Sequence, residues 1–119
     1  MKFMNDYYDL LKQIQKKPGL YIGSPSISGL YMFLIGYQFA RRQLSVPLST
    51  QERKFREFQP WLQEKFGTAT SQSWSQLILF HAVDERDAFE RFFALLDEFL
   101  RCKRALLDTN QVEALLKTA

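Results

Sequence analysis

Few side chains in this 119-residue sequence could do acid-base, nucleophilic or metal chemistry. His81 is the single histidine and Cys102 the single cysteine. One histidine excludes a histidine pair or a multi-histidine metal site, and beside an apolar helix it reads as a structural group. Cys102 reads as a small, partly buried side chain at a helix end. A lone cysteine excludes an internal disulfide and fits a reducing compartment, so a cytoplasmic location is expected. The carboxylates gather in two runs, Asp84, Glu85, Asp87 and Glu90, then Asp97 and Glu98, threaded with arginines. Such a pattern is either a solvated, salt-bridged helix face or an acidic docking surface. No catalytic residue, cofactor or metal site is expected, and the chain reads as a non-enzyme.

The opposite charge gathers in Lys12, Lys16, Lys17, Arg41, Arg42, Arg53, Lys54 and Arg56, on three segments that a fold could bring together. Residues 1–67 carry ten Lys/Arg against five Asp/Glu, and residues 68–119 six against eight, for a net charge of +3. An excess this mild does not by itself imply nucleic acid.

The elements that would position these groups read as helices throughout. Asn5 or Asp6 can cap a first helix with Tyr7, Leu10, Leu11 and Ile14 on one face. An elbow, Lys16 to Ser24, ends it: Pro18 biases Lys17 out of the helical region, and Gly19 and Gly23 can take positive φ. Between them Leu20, Tyr21 and Ile22 are apolar enough to predict a buried joint, wedged between the second helix and the Phe-rich C-terminal one. On that expectation a Tyr21→Ala change costs about 3 kcal/mol.

After hydroxyl caps at residues 24–28, a second helix to about Leu44 is apolar nearly all round and is predicted to be central, with Gly36 marking close approach of another helix. Gln43 to Glu52 reads as a polar, mobile connection. A turn at Arg53–Phe58 and a helix at Gln59–Phe66 stopped by Gly67 follow, then a short helix capped by Ser71 or Ser73 and carrying Trp74, Leu77, Ile78 and Phe80-His81. Asp84 caps the longest segment, with Phe89, Phe92, Phe93, Leu96, Phe99 and Leu100 on one face and Asp87–Arg91 and Asp97–Arg101 pairs outside. Asp108 is expected to cap a separate last helix with Val112, Leu115 and Leu116 inside. No strand alternation and no repeat appear. The expectation is one all-α domain over residues 1–119, with about five to seven short helices around an aromatic-rich core. The N-terminus lacks an apolar signal core, and the apolar tract Leu30–Ala40 falls short of a membrane span.

Two family resemblances meet at the elbow. Lys16-Lys17-Pro18-Gly19-Leu20-Tyr21-Ile22-Gly23-Ser24, with Gly29-Leu30 opening a helix, resembles the Arg-Pro-Gly-Met-Tyr-Ile-Gly stretch of the ATPase domain of type II topoisomerase B subunits. In that family the next helix supplies a water-activating Glu and a magnesium-holding Asn. Here Gly36 and Ala40 stand at those places, neither able to do acid-base or metal work, and the later Asp-x-Gly-x-Gly motif is absent. The second resemblance runs from about Tyr8 to Leu100, through Lys17–Gly23, Ser26–Tyr37, Phe58–Leu62, Ser71–Trp74 and Phe92–Phe99. Those segments are similar to a group of small bacterial proteins, some of which look like immunity proteins of contact-dependent growth inhibition and other polymorphic toxin systems.

That resemblance implies an immunity protein that binds and neutralises a cognate toxin domain, with no membrane or nucleic-acid partner. If the target is a nuclease such as an RNase, its basic active site would face Asp84, Glu85, Asp87, Glu90, Asp97 and Glu98, with Tyr7, Tyr8 or Tyr31 as aromatic anchors if exposed. Pro18, Gly19, Tyr21 and Gly23 are then a structural elbow. The alternative is a nucleic-acid or membrane-surface module built on the basic segments.

Overall fold

The structure, a computed structural model, describes residues 6–118, apart from the side chains of 107–113 and 118. The alternative cap Asn5 and the apolar side chain Val112 therefore lie outside what is described. The fold is all-α: α1 Tyr7–Lys16, α2 Pro18–Tyr21, α3 Ile27–Gln43, α4 Thr50–Phe55, α5 Phe58–Lys65, α6 Trp74–Phe80 and α7 Glu85–Thr118, with no strand among the described residues.

Local chemistry accounts for most of the boundaries. Asp6 caps α1 by accepting from the Tyr7 N–H at 2.7 Å. Ser26 and Ser73 cap α3 and α6 through the N–H groups of Gly29 and Gln76. At α7, Asp84 Oδ1 accepts from the Asp87 N–H while Asp87 Oδ2 accepts from the Val83 N–H, so each side chain satisfies a backbone donor near the other. Gly67, at φ 64°, ends the α5 segment in the left-handed region.

The core is a connected set of rings. Phe58 of α5 lies 5.2 to 6.0 Å from Phe55 of α4, Trp61 of α5, Trp74 of α6, and Phe92 and Phe99 of α7. Around them α7 packs on α3 and α6, α5 on α6 and α7, and α1 on α2 and α4. Leu11, Ile14, Ile27, Leu30, Leu62 and Ile78 fill the remaining space and are fully buried.

Several expectations are corrected. The last two helices are one: nothing between Glu85 and Thr118 is Gly or Pro, and the good helix formers before Asp108 carry α7 through it, so no helix starts at Asp108. At 34 residues α7 is about 51 Å long, so not every helix is short. Its buried side chains end at Phe99, and beyond that the described ones are exposed or half-buried.

The helix α3 is not central. Only Ile27, Leu30 and Leu34 are buried, on the face toward α6 and α7, whereas Met32, Ile35 and Phe39 are 63%, 43% and 55% exposed. Nothing stands within 4 Å of a Cβ built on Gly36, so no helix approaches there. The elbow is not a buried joint either. Pro18 is tolerated at the first helical position, so Pro18–Tyr21 coils into a helical turn instead of a loop, which leaves Leu20 74% exposed. Gly19 is helical; only Gly23, at φ 83°, uses the left-handed region.

Candidate binding surface

Five of the six carboxylates expected to face a partner have in-chain work to do. Asp84 and Asp87 cap α7, and Asp87 also accepts from Arg91 Nε at 2.8 Å. The Val83 N–H and then the Arg91 guanidinium hold the Asp87 carboxyl below its usual range. Glu85 ties two helices together: its Oε1 accepts from the Ser28 N–H at 2.9 Å and Ser26 Oγ at 3.1 Å, and its Oε2 from Ser28 Oγ at 2.7 Å. Burial pushes this carboxyl up, but the hydrogen bonds from Ser28 and Ser26 outweigh it and leave the group below its usual range. Glu98 pairs with Lys65, and Glu90 lies 3.8 Å from Arg86. Asp97 is exposed and takes part in no ion pair among the described residues, so the expected Asp97–Arg101 pair does not form, whereas Asp87–Arg91 does.

The remaining chemistry-bearing residues are scattered. His81 caps the end of α6 and stacks on Phe66 with ring centroids 4.5 Å apart, beside a shallow, mostly apolar cavity of about 270 Å³ that Lys65, Ile78, Arg91 and Leu95 also line. Phe80 next to it points outward, 77% exposed, and is not part of the core. Cys102 is exposed in mid-helix, not partly buried at a helix end. Among the described residues no group of three or more His, Cys, Asp or Glu is placed to hold a metal ion.

None of the three tyrosines is a free anchor. Tyr7 is buried, and desolvation drives its hydroxyl pKa far up. Tyr8 is half-buried, its hydroxyl pKa pushed up to about 12 first by burial and then by the nearby Glu57 and Asp6 carboxylates. Tyr31 packs edge-on against Trp74 at 5.3 Å. At the elbow, Tyr21 sets its ring edge-on to Phe33 at 6.1 Å and donates from its hydroxyl to Gln13 Oε1 at 3.0 Å. It leans on α3 and α1, and is not wedged against α7.

Part of the basic set does converge. A cleft of about 180 Å³ opens where the last turn of α3 meets α4 and the loop between them, lined by Gln38, Arg41, Arg42, Glu52, Phe55 and Arg56 among others. The key to its shape is Glu52, whose side chain is only 3% exposed. It completes a capping box with Ser49, its Oε1 accepting from the Ser49 N–H at 3.1 Å while Ser49 Oγ accepts from the Glu52 N–H. The same oxygen receives Arg41 Nη2 at 2.7 Å, and Ser49 Oγ donates to Asp6 Oδ1 at 2.6 Å, so α1, α3 and α4 share one polar network. Arg41 also sits over the Tyr37 ring at 5.2 Å. Glu52 had a signal in the sequence: Ser49-Thr50-Gln51-Glu52 fits the capping-box pattern, inside a stretch that otherwise reads as a polar, mobile connection.

Beside the cleft runs the outer face of α3. Met32, Ile35, Gly36 and Phe39 fall on one side of the helix, and Gln38 and Arg42 of the cleft lie three and seven positions after Ile35, on the adjoining strip. The structure therefore joins an apolar patch to an arginine-lined cleft along one rigid helix. No helix is long and apolar enough to cross a membrane among the described residues. Compared with protein-family models, curated proteins and solved structures, the chain matches none of them.

Proposed function

We propose that this chain is a stoichiometric binding protein of the immunity type, which neutralises a cognate bacterial toxin domain in the cytoplasm by occluding it. One observation carries the reading: α3 presents Met32, Ile35 and Phe39 to solvent side by side, on a helix anchored by its opposite face to the core. Exposed apolar side chains grouped on a rigid element and rimmed by charge are the mark of a protein-docking surface. The resemblance spread over Tyr8 to Leu100 names the kind of partner. The acidic run on α7 is the weaker candidate for the docking face, because most of its carboxylates are already engaged within the chain.

The direct test is co-expression with the toxin domain encoded by the neighbouring reading frame. Co-purification as a one-to-one complex and survival of the cells are expected; cells that die despite soluble protein would refute the reading. A nucleic-acid or membrane-surface module is the second reading, supported by the convergence of Arg41, Arg42 and Arg56 at one cleft. Affinity for single-stranded RNA or anionic vesicles that falls steeply with added salt would favour it.

A further inference from the structure

On the binding reading above, we propose that the cleft between the end of α3 and α4 is the receptor for a carboxylate side chain of the protein partner, with Met32, Ile35 and Phe39 as its apolar shoulder. Three arginines, Arg41, Arg42 and Arg56, line this cleft with one acidic residue, Glu52. Glu52 is already neutralised by Arg41, so two positive charges stand in excess. Arg42 and Arg56 form no ion pair among the described residues. Arg41 is different: Glu52, the Pro47 carbonyl at 3.4 Å and the Tyr37 ring fix it. Its Nε–H is nonetheless buried without an acceptor, as Glu52 Oε2 is without a donor. Both atoms are covered within the fold, so the positive charge that the cleft offers to a ligand is that of Arg42 and Arg56, which are exposed.

Charge and size together select the occupant. An excess of guanidinium donors calls for an anion with acceptor oxygens. At about 180 Å³ the cleft is smaller than the roughly 300–1,000 Å³ of sites that enclose cofactor-sized molecules, but it accommodates one acidic side chain. The apolar strip next to Arg42 then favours a protein over a nucleic acid, whose partners present more polar and more strongly basic surfaces. The matching partner surface carries an Asp or Glu beside an apolar side chain.

The test uses N-acetylglutamate N-methylamide as the probe, its neutral glutamine counterpart as the control, and NMR of the full chain as the readout. The acidic probe should shift the Arg42 and Arg56 Nε–H signals and the Gln38 and Phe55 amides, and the neutral one should not. Arg42→Ala with Arg56→Ala, both exposed and unpaired, should weaken the acidic probe about tenfold without lowering the thermal midpoint. Equal response to both probes, or no response, overturns the proposal. So does preferential, steeply salt-dependent response to single-stranded RNA, which would make the cleft a phosphate site. The same double variant, co-expressed with the toxin domain, separates the two levels. Loss of co-purification supports the cleft as part of the interface, whereas full protection removes the cleft from it and leaves the binding reading intact. A wild-type chain that binds the acidic probe but does not protect removes the immunity reading and leaves the carboxylate site.

Discussion

Replacing Phe58 by Ala tests the packing logic at its centre. The side chain is fully buried, and its ring meets five others that belong to α4, α5, α6 and α7. An aromatic side chain buries roughly 150–200 Å², which at about 25 cal/mol per Å² corresponds to about 4 kcal/mol. The cavity left behind keeps the cost at the upper part of the range of about 3–5 kcal/mol seen for such truncations, because four helices would have to move to close it. Against a total stability of about 5–15 kcal/mol this is a large share. Urea unfolding followed by tryptophan fluorescence should show the loss, with a thermal midpoint lower by about 10 °C or more. Phe80→Ala removes the same side chain from a position that is 77% exposed, and should change stability by no more than about 0.5 kcal/mol. A Phe58→Ala loss below about 1 kcal/mol, or an equal loss from Phe80→Ala, would refute the assignment of core and surface.

Three further outcomes follow from particular contacts. Tyr21→Ala should cost about 1 kcal/mol in urea unfolding, not the 3 of a buried joint, since Tyr21 is half-buried and keeps one ring contact and one exposed hydrogen bond; Leu20→Ser should leave stability unchanged. Glu52→Ala should cost about 2–3 kcal/mol, because it removes the capping box and strands Arg41 in a partly buried position, a loss that thermal unfolding reads directly. Glu85→Gln concerns pH. The folded Glu85 carboxyl lies below its ordinary range, so its contribution is complete above that range and is lost as pH falls through it and on through the lowered folded pKa. The variant should accordingly be less stable than the parent at pH 7, with the gap closing in acid; a gap independent of pH between 7 and 3 would show that charge plays no part in the Ser26–Ser28 tie.

Much of the fold was legible in local chemistry. Asp6, Ser73, Asp84 and Gly67 act at the ends where their types predict, since caps and left-handed stops depend on a few neighbouring atoms. The Phe periodicity of α7 likewise identified its buried face, because a helix of fixed pitch turns spacing into direction. Where several apolar faces competed for one core the sequence was silent. Leu30 and Leu34 are buried while Ile35 and Phe39 are not, although hydropathy scarcely separates them. Burial there depends on what packs against each face, and α6 and α7 cover only one.

The candidate surface divides the same way. The sequence by itself established an all-helical chain, an aromatic core, a scarcity of reactive side chains and two sets of opposite charge. Which charges were neutralised within the chain was decided by tertiary structure. Glu85 and Glu98 meet donors 57 and 33 positions away, while Arg42 and Arg56 form no ion pair among the described residues and end beside an exposed apolar strip. Sequence spacing places charges along one helix face, but only the packing of helices against one another determines which of them are neutralised across the fold and which remain open to solvent.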